Sequence, residues 1–210
     1  MNPEGFIHLR SLYSQTDLHD AITDPQFILN ERVVLNPACS YLKLFEHSEI
    51  KQAVKDILST SDYHLTTFSS NTLFTGKDTR GYHVDWPYHQ YNSDANDLNI
   101  LYPGTGIQGV QCILPLDDFT IENGATMYIP FSHLARCYPT VEILRSGSFT
   151  TPSHDIYPCK KKYFVAKVGD VILYPATLWH SAGLNTTTKP RRSLLANFSP
   201  PHISRKDFAM

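Results

Sequence analysis

The stretch GYHVDWPY, residues 81–88, carries the pair His83-x-Asp85, around which the rest of the chain can be understood. Alternate residues of a β-strand point to the same side, so an imidazole and a carboxylate would project together from one face. A histidine on a distant strand would complete a 2-His-1-carboxylate triad, which binds Fe(II) from one side and leaves the opposite positions open. The candidate is His180, in PATLWHSAG (residues 175–183).

An arginine pair follows this second histidine, in KPRRS (residues 189–193). Along an alternating strand only one of Arg191 and Arg192 can face the interior. The guanidinium group is a planar fork of donors that suits a carboxylate better than an ammonium group does. An inward-facing arginine here could therefore hold an acidic co-substrate beside the metal.

The composition is that of an ordinary globular domain, and we expect a single domain over residues 1–210. Hydrophobic residues make up 41% and charged residues 18% of the chain, a balance that gives no reason to propose disorder. The formal net charge is -2, and the one short basic run, residues 160–162, indicates a solvated loop. These features argue against a nucleic-acid partner.

The sequence also bears on the compartment. No apolar run approaches the roughly 18 residues of a membrane span, and residues 1–5, MNPEG, lack the layout of a signal peptide. The four cysteines are widely spaced and form no CxxC pair: Cys39, Cys112, Cys137 and Cys159. We interpret them as reduced thiols and expect a cytoplasmic protein without a membrane partner.

The residue pattern changes near position 63. The first part, about 1–62, suits helices at 14–22 and at 40–58, the latter with a second start at Ser48. The second part, about 63–200, consists of short segments rich in β-branched and aromatic residues, divided by Gly, Pro, Asn and Asp. This texture predicts a mainly β fold, an antiparallel sandwich or jelly roll with helices flanking it.

Individual strands can be proposed within the second part. Residues 110–116 are almost continuously apolar, as expected for a strand covered on both faces. Residues 135–163 are polar and rich in proline, which suggests a lid or a substrate-facing insertion. The polar loop 92–97 is a second segment that could determine which substrate is bound.

The strands expected in the second part are 63–68, 73–74, 82–85, 110–116, 125–130, 164–168, 171–174, 178–182 and 193–198.

Three motifs in this order give the chain a family resemblance. They are YHVD (82–85), LDDFTIENGATMYIPFSH (116–133), and GDVILY (169–174) continuing through His180 to PRR (190–192). With them, residues 5–200 resemble the phytanoyl-CoA dioxygenase (PhyH)-like family of Fe(II)/2-oxoglutarate-dependent oxygenases. The resemblance implies a double-stranded β-helix, a cupin-like jelly roll with the metal inside one open end.

The resemblance also implies roles for particular residues. His83, Asp85 and His180 would bind Fe(II), and Arg191 would bind 2-oxoglutarate. Dioxygen would be the second co-substrate, with ascorbate as a stimulant and no separate acid–base residue. The expected reaction is hydroxylation of a small-molecule substrate, with release of succinate and CO2. An aspartate at position 85 favours hydroxylation over halogenation, because related halogenases keep that position small.

Two positions depart from the family pattern. Family members usually have glycine where this chain has Phe131, and many have a hydroxyl residue where this chain has Ala182. The second difference removes a donor that could reach the co-substrate.

The residues that would meet the substrate are less defined. Trp86, Tyr88 and Tyr91 either face the substrate or are ordinary packing and rim aromatics. Nothing in the sequence identifies the substrate, the position oxidised or the oligomeric state.

Two other functions use a similar set of residues. One is a non-catalytic cupin-like protein that binds a metal or a ligand without turnover. The other is a zinc hydrolase, which gives no reason for Arg191. Succinate formation from 2-oxoglutarate in the presence of Fe(II) would separate the oxygenase from both.

Overall fold

The computed structural model describes residues 1–35, 39–77, 81–85, 107–135 and 137–201. Within these ranges the chain is mainly β-structure with a few short helices. None of the helices described is both long and apolar enough to cross a membrane.

The larger of the sheets contains six antiparallel strands within the described residues. In spatial order they are β1 (Ile7–Leu9), β9 (Val171–Pro175), β4 (Val110–Pro115), β11 (Arg191–Ser199), β3 (His64–Leu73) and β2 (Arg32–Val34). The strands β11 and β3 form the longest ladder, in which Arg191 lies opposite Leu73.

A smaller sheet carries the second half of the site. It contains β10 (His180–Ser181), β5 (Met127–Tyr128) and β8 (Lys162–Tyr163) in that order. A separate hairpin pairs β6 (Ser148–Thr150) with β7 (Ile156–Pro158).

The helices of the described residues are short. They are α1 (His19–Thr23), α2 (Pro25–Leu29), α3 (Ser48–Leu58) and α4 (Val141–Ser146), with 3-10 helices at Ser40–Glu46 and Ser132–Leu134. The second start predicted at Ser48 is confirmed, although His47 occupies the N-cap position.

The first predicted helix, 14–22, begins only at His19. The side chains of Ser14 and Asp17 close a separate turn before it: the N–H of Ser14 donates to the Asp17 carboxylate (2.9 Å) and the N–H of Asp17 to the Ser14 hydroxyl (3.2 Å). Such local bonds compete with a helix for the same backbone groups.

Alternation along the larger sheet produces two apolar layers. On the outer face, strands β4, β9 and β11 pack against α3, with members that include Cys112, Leu114, Leu173, Leu194, Ile50 and Val54. On the inner face, Ile113, Ile172 and Tyr174 pack against Tyr128 and Phe164 from the smaller sheet and its flank. Each fully buried aliphatic side chain contributes about 1.5–3 kcal/mol. The smaller sheet is thereby held over the inner face of the larger one.

A glycine turn ties the N-terminal segment to the start of β9. Gly169 has a φ of +88°, and a β-carbon added there would lie 1.9 Å from the carbonyl oxygen of Tyr13. The N–H of Tyr13 in turn donates to the Gly169 carbonyl (3.0 Å). The turn therefore needs both the left-handed conformation and the absence of a side chain.

We expect Gly169→Ala to lower the free energy of unfolding by about 3 kcal/mol or more, since the added methyl group must displace backbone. Gly76→Ala is the matched control: Gly76 has a φ of +71°, but apart from its chain neighbours no atom of the described residues lies within 4 Å of the added β-carbon. It should cost only about 1–2 kcal/mol, for the left-handed conformation. Chemical denaturation measures both, and equal losses would contradict the proposed backbone clash.

Candidate metal centre

Backbone pairing brings the two histidines of the predicted triad together. The N–H of His83 donates to the carbonyl of His180 (3.0 Å), and the N–H of His180 donates to the carbonyl of His83 (3.1 Å). Two residues after His83, the N–H of Asp85 donates to the carbonyl of Ala176 (2.7 Å). His83 thus forms an antiparallel bridge beside β10, opposite β5. Main-chain hydrogen bonds therefore bring the three residues together, without any contribution from their side chains.

The three side chains converge on one point. One potential ligand atom from each of His83, Asp85 and His180 lies within 4.8 Å of the others. The Asp85 carboxylate oxygens are 3.8 Å from Nε2 of His83 and 3.4 Å from Nε2 of His180. The two imidazole rings are 4.4 Å apart between centroids. A single metal ion could be held by two nitrogens and a carboxylate here.

The other ring nitrogen of each histidine is held by backbone. Nδ1 of His83 lies 3.1 Å from the carbonyl oxygen of Gly81, and Nδ1 of His180 lies 2.8 Å from that of Leu178. Each contact favours the tautomer in which Nδ1 carries the proton and donates it, leaving a lone pair on Nε2. This is how histidine side chains that bind metals are usually oriented.

Electrostatics keep His180 in the form that binds a metal. Burial lowers the pKa of His180 below its ordinary value, and the attraction of Asp85 opposes this only in part. The imidazole is therefore neutral near pH 7, as a metal ligand must be.

A cavity of about 480 Å³ opens at this cluster. Its wall is formed largely by the inner face of the larger sheet and is polar, with Ser69, Asn71, Gln111, Tyr174 and Ser193 from that sheet and Thr126 from the residue before β5 among the lining residues. Charged residues of the rim include Glu31, Arg32 and Lys77, of which Lys77 lies 3.4 Å from the Glu31 carboxylate. The cavity is therefore suited to a polar ligand.

Arg191 lines the same cavity and is 2% exposed. Its Nε and NH1 atoms are buried without a hydrogen-bond partner among the described residues, and its guanidinium carbon lies 4.0 Å from the centre of the Phe119 ring. Burial lowers the pKa of Arg191 to about 10, so the group stays charged at neutral pH. A buried cation that lacks an anion is costly, and a carboxylate bound in the cavity would remove that cost.

Arg192 faces the other side of the sheet, as the alternation predicts. Its Nε and NH2 atoms donate to the two oxygens of Asp117, at 2.8 and 2.7 Å, and NH1 donates to the carbonyl of Ile22. This guanidinium group is therefore already satisfied and ties β11 to the N-terminal segment.

The remaining predicted positions have different outcomes. Trp86, Tyr88 and Tyr91 lie outside the described residues, as does the loop 92–97. Ala182 lines the cavity. Phe131 has a φ of +66°, the conformation that favours the glycine typical of the family, and its ring stacks on Tyr157 at 4.6 Å.

Sequence reasoning did not single out the polar residues of the cavity wall. A signal was nevertheless present, because Gln111 and Tyr174 interrupt the apolar strands β4 and β9, and both are buried. A polar residue inside a strand covered on both faces indicates either an internal partner or a ligand.

Comparisons with family models and with known sequences agree on one family of dioxygenases. A model of the phytanoyl-CoA dioxygenase (PhyH) family matches residues 8–193. Dioxygenase andF of Emericella variicolor is 32% identical over 91 residues, 43% of this chain and 27% of that protein. Dioxygenase af480 of Aspergillus fumigatus is 28% identical over 140 residues, 66% of this chain and 38% of that protein. The chain thus spans well under half the length of both relatives.

Solved structures share the fold. HygX from Streptomyces hygroscopicus with iron bound has a TM-score of 0.71 at 17% identity, over 97% of this chain and 85% of that chain. The 2-oxoglutarate-dependent epimerase SnoN from nogalamycin biosynthesis has a TM-score of 0.66 at 16% identity, over 94% and 78%. These similarities confirm the predicted double-stranded β-helix.

Proposed function

This chain belongs to the phytanoyl-CoA dioxygenase family of Fe(II)/2-oxoglutarate-dependent oxygenases, and from that premise we propose that it hydroxylates a small molecule with release of succinate and CO2. In this proposal His83, Asp85 and His180 bind Fe(II). Arg191 binds the carboxylate of 2-oxoglutarate that is remote from the metal.

The metal assignment is supported by the donor set and its orientation. Two imidazole nitrogens and one carboxylate are typical of Fe(II) sites in oxygenases, which keep the opposite positions open for co-substrates. The backbone carbonyls of Gly81 and Leu178 hold the two imidazoles with Nε2 directed away from them. The cluster could thus take up a cation with little rearrangement of its ligands.

The observation that carries the proposal is the buried, unpaired Arg191 in the cavity that also contains the triad. A scaffold that only binds a metal has no need for such a cation, and a zinc hydrolase gives no reason for it. 2-Oxoglutarate is a dicarboxylate that can pair with a guanidinium at one end and a metal at the other. HygX has been crystallised with nickel and 2-oxoglutarate bound.

Within this scheme, the bound iron and 2-oxoglutarate supply the oxidising chemistry with O2. The protein contributes position and environment. Asp85 and the two histidines would hold the metal, and Arg191 would fix the orientation of the co-substrate. The inner layer around Ile113 and Phe119 shields the buried side of the cavity from water.

The substrate class is supported by the cavity and by related proteins. Its volume of about 480 Å³ suits a small molecule together with 2-oxoglutarate. HygX has been crystallised with hygromycin B and SnoN with nogalamycin RO. The polar wall formed by Ser69, Asn71 and Gln111 favours a substrate that bears oxygen or nitrogen atoms.

The deciding experiment is anaerobic titration of the Fe(II)-loaded protein with 2-oxoglutarate, followed by succinate analysis after O2 and ascorbate are added. We expect a visible charge-transfer band from the chelated co-substrate and slow succinate release even without substrate. A well-folded, iron-loaded protein that gives neither band nor succinate would exclude the oxygenase and favour the metal-binding scaffold.

A further inference from the structure

The cavity that contains the triad has a charged end and an uncharged end. Outside the triad, the charged residues in the described part of its lining are Glu31, Arg32, Lys77 and Arg191. All of them adjoin the C-terminal end of β3. Arg191 lies opposite Leu73, and Arg32 lies opposite Asn71. The carbonyl of Glu31 accepts from the N–H of Thr72 (2.8 Å), and its carboxylate lies 3.4 Å from Nζ of Lys77. This is the end at which the proposed function places the remote carboxylate of 2-oxoglutarate.

The other end carries two carboxamides on neighbouring strands. Gln111 on β4 is the cross-strand partner of Asn197 on β11, and both residues line the cavity. Gln111 is buried. Asn197 follows Arg191 by six residues, so that Ser193 and Leu195 lie between them on the same face of β11. The two carboxamides are therefore separated from the charged end.

These carboxamides lie level with the metal cluster. Gln111 pairs on its other side with Tyr174 of β9. The ring of Tyr174 packs against the ring of His180, with centroids 5.0 Å apart. Because adjacent strands are about 4.8 Å apart, Gln111 and Asn197 occupy the first and second positions across the sheet from the residue that contacts His180. The uncharged end of the cavity therefore adjoins the site at which a metal would be bound.

The backbone beside Asn197 is irregular in a way that holds its side chain. The β11–β3 ladder changes register between Asn197 and Phe198, where Thr66 is the extra residue on β3. The Thr66 hydroxyl donates to the carbonyl of Asn197 (3.0 Å), and Nδ2 of Asn197 donates to the Thr67 hydroxyl (2.7 Å). Bulges often occur next to active sites, where they redirect a side chain. The Asn197 carboxamide is therefore held in one orientation before a ligand binds.

A pair of carboxamides suits a neutral polar group. Each has an NH2 group that donates and a carbonyl oxygen that accepts. Among the described lining residues at this end, the triad supplies all the titratable metal ligands and no other residue is charged, so a bound ion would lack a dedicated partner. Burying an unpaired charge is costly, whereas a buried hydroxyl or carbonyl needs only a hydrogen bond.

We propose that Gln111 and Asn197 determine specificity by hydrogen-bonding the substrate, and that the substrate presents an uncharged carbonyl or hydroxyl oxygen close to the carbon that is oxidised. This inference rests on the proposed function, in which 2-oxoglutarate occupies the charged end with Arg191. It adds a location for the substrate and a chemical class, neutral oxygen-bearing molecules in place of acids.

The test uses probes that share a six-membered carbon ring: cyclohexanone, cyclohexanol and cyclohexanecarboxylate. Each is titrated under nitrogen into protein that is loaded with Mn(II) and saturated with 2-oxoglutarate, so that no turnover occurs. Paramagnetic relaxation of the probe protons, relative to the Zn(II)-loaded protein, reports binding beside the metal. We expect both neutral probes to bind, and the carboxylate to bind at least roughly tenfold more weakly because its charge would be unpaired.

Gln111→Leu and Asn197→Leu each replace a carboxamide with an apolar side chain of similar size. Each should weaken cyclohexanone binding by roughly three- to tenfold, the effect of losing one neutral hydrogen bond. Calorimetry should show an unchanged affinity for 2-oxoglutarate in both variants. Because Asn197 also ties β11 to β3, Gln111→Leu decides the test if Asn197→Leu fails to fold.

Ser193→Ala is the control for altering another polar residue of the lining. Ser193 lies opposite Asn71, next to the charged end, so cyclohexanone binding should not change. The proposal would be overturned by equal affinity for the carboxylate, by absence of relaxation for all the probes, or by wild-type cyclohexanone affinity in the leucine variants. Loss of 2-oxoglutarate affinity in both leucine variants would also overturn it, by assigning the carboxamides to the co-substrate. A wild-type protein that binds Mn(II) but not 2-oxoglutarate would instead disprove the proposed function, so the two failures are distinguishable.

Discussion

Replacing His180 with alanine is expected to abolish Fe(II) binding and, with it, the release of succinate from 2-oxoglutarate. The side chain supplies one of three converging ligand atoms, and its imidazole is held neutral by burial. The backbone bridge between His83 and position 180 uses only main-chain atoms, so alanine should leave the local fold intact. We expect the metal affinity to fall by more than roughly 100-fold, since even loss of a group that only orients a ligand costs 10- to 100-fold.

Competition with a chelating dye under anaerobic conditions measures this affinity directly. His133→Gln is the control, because burial lowers the pKa of His133 to about 4 but the residue lies outside the cluster. It should bind Fe(II) as the wild type does. If His180→Ala retained wild-type affinity while keeping its fold, the proposed triad would be wrong.

The central strands of the sheet could be predicted because their pattern is local. The apolar runs at 110–116 and 171–174 correspond to β4 (Val110–Pro115) and β9 (Val171–Pro175), and both strands are buried throughout. Alternation along a third strand, β11 (Arg191–Ser199), also predicted that Arg191 and Arg192 would face opposite sides. There the side-chain period of two decides which layer a residue joins.

The proximity of the predicted ligands could not come from local pattern alone. The chain has ten histidines, and nothing in the short stretch around His83 selects His180 as its neighbour. The pairing depends on backbone hydrogen bonds between segments far apart in the chain. The resemblance to a family supplied that information, and the roles of the residues in metal and co-substrate binding stay predictions.

One error of strand prediction is informative about the cavity. Residues 63–68 and 73–74 were expected as two segments, but His64–Leu73 is one continuous strand that includes the polar stretch SSNT (69–72). Ser69 and Asn71 lie on its inner face and line the cavity. The polarity of 69–72 reflects a polar interior, since sequence rules are expected to fail where a strand serves a site.

The segment 135–163 was also only partly predicted. It was expected to be irregular, yet it contains α4, the β6–β7 hairpin and both residues of β8. Its order depends on distant contacts, such as Phe149 packing against Trp179 with ring centroids 5.0 Å apart. Contacts of this kind leave no periodic signal in the segment itself.

Arg191→Met should have two effects of opposite sign. We expect 2-oxoglutarate affinity to fall by roughly 100-fold or more, because a charge-assisted pair in a buried site is lost. We also expect the protein without ligands to become more stable, by about 1–3 kcal/mol, since a buried guanidinium with two unpaired nitrogens is replaced by an apolar side chain of similar length. A residue that only supported the fold would show the reverse on stability.

Arg192→Met provides the matched control on the neighbouring residue. It removes the paired hydrogen bonds to Asp117 on the opposite face of the sheet, so stability should fall by about 1–2 kcal/mol while 2-oxoglutarate affinity stays unchanged. Calorimetric titration gives the affinities, and chemical denaturation of the ligand-free proteins gives the stabilities. If Arg191→Met lost stability and kept its affinity, the buried arginine would be part of the framework, and the anion site would have to be sought elsewhere in the cavity.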